Sequence, residues 1–189
     1  MSAATITSRA EGASRAVVVD IVNHTGHALP SGATAERQMW IEVIVRNEQG
    51  DIVFESGTLD ENGDLRDPIE GHSTAPGSDP QLVYYGQQMI DDPTRQDPFS
   101  TAEIKAVTFP WQASWIENRL LAADGQAEHR CDIGNVPSGN YTATVRMLFR
   151  TFPMYFLRKL EEKAGLDPAV KGRVPTVVMH DDQHSFVVP

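Results

Sequence analysis

Histidines have the broadest chemistry of the side chains in this sequence, and four of the six occur as two closely spaced pairs. His24 and His27 form a His-x-x-His pair, and His180 and His184 form a His-x-x-x-His pair within the run HDDQH. Imidazole nitrogens at such spacings bind zinc, copper or haem iron. Neither pair lies in a predicted helix, where rings four residues apart would share a face. Two interpretations stay open: a metal site, joining all four rings if the segments meet, or rings that only hydrogen-bond locally.

A second group of candidate ligands lies between residues 60 and 67, where side-chain oxygens are spaced like those of a calcium loop; they belong to Asp60, Asn62, Asp64 and Asp67. An EF-hand requires glycine at its sixth position, which is Leu65 here, while Gly63 occupies the fourth. The sequence therefore favours a solvated turn over a calcium site.

Evidence for a nucleophilic active site is weak. Ser31 and Ser56 each precede a glycine, but neither lies in the Gly-x-Ser-x-Gly motif of a strand-to-helix elbow. Cys131 lies two residues after His129 in a predicted strand, so the thiol and the imidazole could share a face. A half-buried structural cysteine is far more common than such a pair. No catalytic residue is assigned, and whether the chain has enzymatic activity is left open.

A basic cluster stands out in this acidic chain, where a long predicted strand runs into a helix; it comprises Arg146, Arg150, Arg158 and Lys159. Such a cluster could dock to haem propionates or to an acidic partner surface. The alternative is that these cations pair with nearby Asp and Glu within the chain.

Two predicted strands position the first histidine pair. Alternating β-branched residues predict a strand that starts at Val17, and alternation predicts another over residues 39–45. The long loop between them contains Gly26, Pro30 and Gly32, which we expect to define its shape, Gly26 by permitting a positive φ. Long connections of this kind in compact domains are often functional.

The remaining pattern predicts about nine strands and one substantial helix, which begins near Pro153 and ends at a left-handed cap at Gly165. The last two strands are predicted over residues 175–179 and 185–188, and residues 111–124 are compatible with a helix or a strand. The fold class is mostly β: an antiparallel β-sandwich with Greek-key-like connections and one helix near the C-terminus.

Composition predicts a flexible N-terminal segment over residues 1–16 and a single β-sandwich domain over residues 17–189. The net charge of −10 argues against nucleic acid or an anionic membrane surface as the partner. No apolar run is long enough for a membrane span, and residues 1–16 do not resemble a signal peptide. The single cysteine, Cys131, excludes an internal disulfide.

Several segments together carry a family resemblance: the run TGHALPSG over residues 25–32 with Arg37 and Trp40, residues 50–57, residues 108–113, and residues 146–160. In this order they resemble the haem-free, β-rich region, usually C-terminal, of multihaem c-type cytochromes, which carries a Gly-His-x-x-Pro-Ser/Thr-Gly signature. The chain has no Cys-x-x-Cys-His motif, so it has no site for covalent attachment of a c-type haem.

The resemblance implies a non-catalytic accessory or docking domain of an exported multihaem cytochrome that takes part in electron transfer at the periplasm or cell surface. His27 would then be a candidate axial ligand to the haem of an adjacent domain or partner. If the chain is complete as given, the expected location is cytoplasmic. The alternative function is a stand-alone extracytoplasmic module that binds carbohydrate or protein through exposed aromatics, namely Trp40, Trp111, Trp115, Tyr84 and Tyr85. A metalloenzyme that uses the histidines is the third class.

Overall fold

The computed structural model describes residues 3–32, 36–67, 78–95, 97–102, 105–107 and 109–189. Within them lie eleven strands: β1 (Ala4–Glu11), β2 (Ala16–Asn23), β3 (Gln38–Asn47), β4 (Ile52–Ser56), β5 (Val83–Tyr85), β6 (Gln87–Asp91), β7 (Lys105–Ala106), β8 (Trp115–Asn118), β9 (Gln126–Asp132), β10 (Gly139–Arg150) and β11 (Val177–Val188). The one α-helix of the described part, α1 (Met154–Ala164), joins β10 to β11. Short 3-10 helices cover Gly12–Ser14, Pro93–Arg95, Pro110–Gln112 and Pro168–Arg173.

The strands form an antiparallel sandwich, as the sequence predicts. One sheet has the order β1-β2-β9, and the facing sheet has the order β11-β10-β3-β4 with β5 also paired to β3. A third, small sheet of order β7-β6-β8 is built from the long connection between β5 and β9. The chain passes from one large sheet to the other between β2 and β3 and again between β9 and β10.

The core lies between the two large sheets because their inward-facing positions are consistently apolar. On β10 the buried side chains alternate through Tyr141, Ala143, Val145 and Met147, which is the face the sequence predicts. They pack with the β3 and β2 side chains of the same cluster. A second, smaller core of Trp40, Leu65, Tyr84 and Leu148 lies on the outer face of the β3–β10 pair. Trp40 is therefore fully buried, although its strand position is opposite to the main core.

Helix α1 confirms its sequence prediction. Pro153 directly precedes its first residue, and Gly165 ends it with φ +66°, a left-handed C-cap that glycine adopts without steric cost. The helix is held to the rest of the fold at its first turn, where the N–H of Tyr155 donates to Asp64 Oδ1 at 2.9 Å.

The prediction of a flexible segment over residues 1–16 is wrong for most of its length. Ala4 to Glu11 form β1, which pairs with the whole of β2 from Ala4↔Asn23 to Glu11↔Ala16. The polar residues of this segment hid the alternation, because only Ala4 and Ile6 are buried on its inward face. A neighbouring strand supplied the pairing that local sequence could not indicate.

Three further predictions need correction. The two final strands are one continuous strand, β11, so the run HDDQH is part of a ladder and not a turn. Residues 111–124 contain a 3-10 helix followed by β8, and not an α-helix. A strand over residues 104–109 is reduced to β7, and residues 104 and 108 lie outside the described part of the chain.

The connections of the sandwich differ sharply between its two ends. At one end the turns are short, over residues 12–15, 48–51 and 133–138. At the other end they are long, over residues 24–37, 57–82, 86–125 and 151–176. We call this second end the long-loop end. Function in sandwich folds is concentrated on loops that a rigid scaffold positions, so it is the natural place for a site.

Candidate functional site

The histidine loop begins at the long-loop end, and Asn23 fixes its shape. This residue is almost fully buried, and its side-chain amide donates to the carbonyl oxygens of His27 at 2.9 Å and Ala122 at 2.8 Å. Its oxygen accepts hydrogen bonds from the backbone N–H and the hydroxyl of Thr25, at 2.9 and 2.7 Å. Sequence reasoning treated Asn23 only as a turn former. A buried asparagine at a strand end was the signal for this role, since a buried amide must satisfy all its hydrogen bonds.

His27 lies on the surface of this loop with its ring exposed. Nδ1 is 3.2 Å from the carbonyl oxygen of Ala28 and 3.3 Å from the hydroxyl of Thr25. A carbonyl can only accept, so this contact favours the tautomer with the proton on Nδ1. Nε2 then presents its lone pair to solvent, and no carboxylate orients the ring. This is the arrangement of a metal-ligating histidine whose other nitrogen is held by a backbone carbonyl.

His24 faces a different neighbour. Its ring is also exposed, and Nε2 lies 2.8 Å from the hydroxyl of Thr5 on β1. The two histidines of the first pair therefore share no partner. In the described part of the chain, no group of three or more His, Cys, Asp or Glu side chains is placed to hold a metal ion.

The second histidine pair lies on the inward side of β11, facing the edge of β1. His184 Nδ1 is 3.1 Å from the hydroxyl of Ser8, and the neighbouring Asp182 accepts from both the hydroxyl and the N–H of Ser8 at 2.7 Å. The hydroxyl hydrogen bond is the main cause that lowers the pKa of Asp182. His180 follows the same face one alternation earlier, so the pair is spread along a strand and does not cluster with His24 and His27.

The turn over residues 29–32 closes the histidine loop against the core. Leu29 exchanges backbone hydrogen bonds of 2.9 and 2.8 Å with Leu121, and Leu29 and Pro30 are buried. The Leu29–Pro30 peptide bond is cis. Gly32 has φ +83°, and an added Cβ would lie 2.7 Å from a guanidinium nitrogen of Arg37. The prediction that Gly26 needs a positive φ is wrong, because Gly26 is outside that region and has open space around it.

The basic cluster is largely absorbed by contacts within the chain. Arg150 is only 1% exposed, donates to Gln38 Oε1 at 2.6 Å and to the carbonyl oxygen of Gly63, and lies 5.4 Å from the centre of the Trp40 ring. Burial lowers its pKa to about 10. It therefore cannot form part of a docking surface. The other three cations of the cluster pair with acidic side chains: Arg146 with Glu42, Arg158 with Asp64, and Lys159 with Glu162.

The oxygen-rich stretch near residue 60 is a turn and not a calcium loop. Asp60 Oδ1 accepts from the N–H groups of Asn62 at 2.9 Å and Asp64 at 2.8 Å, which is an Asx-type turn. Asp64 is fully buried and pairs with Arg158. Burial is the largest influence on this carboxyl and raises its pKa.

The cysteine and its histidine neighbour also have structural surroundings. Cys131 is buried in the main core, and burial raises the pKa of its thiol to about 11, which disfavours the nucleophilic thiolate. His129 Nε2 accepts the hydroxyl of Tyr85 at 2.5 Å. Burial lowers the pKa of His129 and raises that of Tyr85, so both rings are held neutral.

Exposed aromatics are concentrated in the long connection between β5 and β9. Phe109 and Trp111 stack with ring centres 4.6 Å apart, and Trp111 is 79% exposed. Arg95 lies 4.5 Å above the ring of Trp115. The other aromatics proposed from sequence as stacking surfaces, Trp40, Tyr84 and Tyr85, are buried and cannot serve.

Comparison with known proteins shows a single kind of similarity, in the fold. The chain matches the crystal structure of a penta-haem cytochrome c552 from Thermochromatium tepidum with a TM-score of 0.59 and 16% sequence identity. The match covers 97% of this chain and 39% of that one, so this chain spans less than half of the cytochrome's length. No family model and no curated protein matches. The fold is therefore related to part of a multihaem cytochrome. Among the described residues no helix is long and apolar enough to cross a membrane.

Proposed function

We propose that this chain is a non-catalytic docking domain for the haem-bearing part of an exported electron-transfer cytochrome, in the same polypeptide or in a partner. The fold match to a penta-haem cytochrome supports this context, as does the run TGHALPSG over residues 25–32. The chain has no motif for covalent haem attachment, so the haem would belong to the partner. The periplasm or the cell surface is the proposed location.

The observation that carries the proposal is the geometry of His27 at the long-loop end. Its ring is exposed, Nδ1 lies against the carbonyl oxygen of Ala28, and Nε2 is open to solvent. Asn23 and Thr25 hold the loop, so little conformational freedom is lost when Nε2 meets a metal. A haem whose iron has one free axial position fits this nitrogen, because imidazole is a common axial ligand. The haem would supply the redox chemistry, and this chain would supply the ligand and its orientation.

The loop also has neighbours suited to a protein contact. Leu29 pairs with Leu121, which follows β8 directly, so the histidine loop and the small sheet project from the same end of the sandwich. The small sheet is flanked by the exposed Trp111. Exposed tryptophan beside a rigid loop is typical of contact surfaces between proteins.

The test uses microperoxidase, a haem peptide with one open axial position, titrated into the wild type, His27→Ala and His24→Ala. We expect saturable conversion of the haem spectrum to the low-spin form with the wild type and with His24→Ala, and its loss with His27→Ala. His24 is the matched control because it is an exposed histidine of the same loop, engaged by Thr5. Identical titrations for the three proteins would remove the ligand role of His27.

A second candidate function, a module that binds carbohydrate or protein through aromatic surfaces, is favoured by the Phe109–Trp111 stack. Flat, exposed ring faces are the feature that sugar rings stack upon. Affinity electrophoresis of the wild type and Trp111→Ala in gels that contain soluble polysaccharides tests this alternative. Retardation that depends on Trp111 would favour the module over the cytochrome domain.

A further inference from the structure

A small pocket opens beside the histidine loop. It has a volume of about 160 Å³, and it lies between the turn over residues 29–31 and the side chains of Arg37, Met39, Phe149 and Met179. Its lining is apolar except for Ser31 and Arg37. Met39 and Leu29 form its buried floor, while Phe149 and Met179 are partly exposed. Nothing in the docking function requires this pocket.

A break in strand register creates one wall of the pocket. Met147 pairs with His180 while Leu148 pairs with Val178, so Met179 is an extra residue on β11. A bulge of this kind turns a side chain out of the normal alternation. Consistent with this, Met179 and His180 are adjacent residues that are both partly buried. The bulge thereby directs the Met179 thioether towards Phe149 and the turn over residues 29–31.

Arg37 gives the pocket its one positive charge. Its guanidinium packs over Gly32, where a Cβ would lie 2.7 Å away, and donates to the carbonyl oxygen of Ser31. Within the described part of the chain it forms no ion pair, whereas arginines such as Arg146 and Arg158 do. Guanidinium has five N–H donors, so this contact leaves donors for an anion. An arginine without a carboxylate partner is notable in a chain of net charge −10.

The volume limits the ligand to a small group. An apolar cavity of about 150 Å³ accommodates benzene, whereas drug-sized ligands and cofactors need roughly 300 Å³ or more. A whole haem is therefore too large for the pocket. Methionine thioethers and a phenyl ring favour an aromatic or compact aliphatic body. The neighbouring guanidinium favours a carboxylate on that body, since arginine forms charge-assisted hydrogen bonds with carboxylates.

From these contacts we infer that the pocket binds a small apolar carboxylate of the phenylacetate class. The hydrocarbon part lies among Met39, Phe149 and Met179, and the carboxylate accepts hydrogen bonds from Arg37. The TGHALPSG run, with Arg37 five residues after it, then has a second role. The run supplies the wall over residues 29–31 and the glycine on which the guanidinium rests.

The first test compares phenylacetate with its neutral isostere phenylacetamide, using wild-type protein that carries ¹³C-methyl methionine. We expect phenylacetate to shift the methyl resonances of Met39 and Met179 saturably and to leave that of Met89, in the small sheet, in place. The amide should bind about tenfold or more weakly, because it lacks the charge that Arg37 recognises. Absence of saturable shifts, or equal affinity for acid and amide, would overturn the proposal, and neither result depends on a variant that must fold.

The second test assigns the charge. Arg37→Gln should weaken phenylacetate binding about tenfold or more and leave phenylacetamide binding unchanged. Arg46→Gln is the matched control, because Arg46 also donates to a backbone carbonyl, that of Gly50, but at the opposite end of β3. Met179→Phe, which fills the pocket, should abolish binding of both compounds. His27→Ala should leave both affinities unchanged, which separates this site from the proposed haem ligand. Retained phenylacetate affinity in folded Arg37→Gln would refute the role of the guanidinium.

Discussion

Replacing Gly32 with alanine tests how the loop is held. Gly32 has φ +83°, and a non-glycine residue in the left-handed region costs about 1–2 kcal/mol. The added Cβ would also meet the guanidinium of Arg37 at 2.7 Å and displace it from the carbonyl oxygen of Ser31. Loss of that partly exposed hydrogen bond costs about 1 kcal/mol more. We therefore expect Gly32→Ala to lower the free energy of unfolding by about 2–3 kcal/mol.

The matched control is Gly26→Ala in the same loop. Gly26 has no positive φ and nothing within 4 Å of its added Cβ, so its substitution should change stability by less than about 0.5 kcal/mol. His27→Ala, which removes an exposed ring, should be similarly mild. At about 2–4 °C per kcal/mol for a chain of this size, Gly32→Ala should lower Tm by roughly 4–12 °C. Urea unfolding and thermal melts measure both quantities. Equal Tm values for Gly32→Ala and Gly26→Ala, or a larger loss for His27→Ala, would refute this account of the loop.

Three further predictions concern titratable groups. The Ser8 hydroxyl lowers the pKa of Asp182, so the stabilisation is present above about pH 4 and is lost as pH falls through the lowered value. In Ser8→Ala the ¹³C carboxyl titration of Asp182 should move up towards its ordinary pKa, and an unchanged titration would contradict this. The Cys131 thiol, with its pKa raised to about 11 by burial, should react with a thiol reagent only after unfolding. Diethylpyrocarbonate should modify the exposed His27 faster than His129, whose Nε2 accepts from a tyrosine hydroxyl; the reverse order would refute the assigned exposure.

Much of the fold is legible in local patterns. The alternation on β10 predicts its buried face, and Pro153 and Gly165 mark the helix ends, because these signals depend on neighbours within a few residues. β1 was missed since its polar side chains do not alternate clearly with apolar ones. The final strand was divided in two because the run HDDQH lacks apolar residues. Its ladder is fixed by pairing with β10, from Gly139↔Val188 onwards.

The candidate site shows the same division. The sequence alone identified the histidine loop, its second turn and the charge of the chain, because glycine, proline and histidine carry their chemistry locally. It could not separate an exposed His27 from a packed one, or a surface Arg150 from a buried one.

Those distinctions belong to the tertiary structure, since burial depends on which distant segments cover a residue. Arg150 is covered because β3 and the turn at Gly63 supply its hydrogen-bond acceptors. The pocket at Arg37 exists only because a bulge on β11 places Met179 beside a turn formed some 150 residues earlier in the chain. Residue types set the chemistry of this protein, and long-range packing decided which of those residues a ligand can reach.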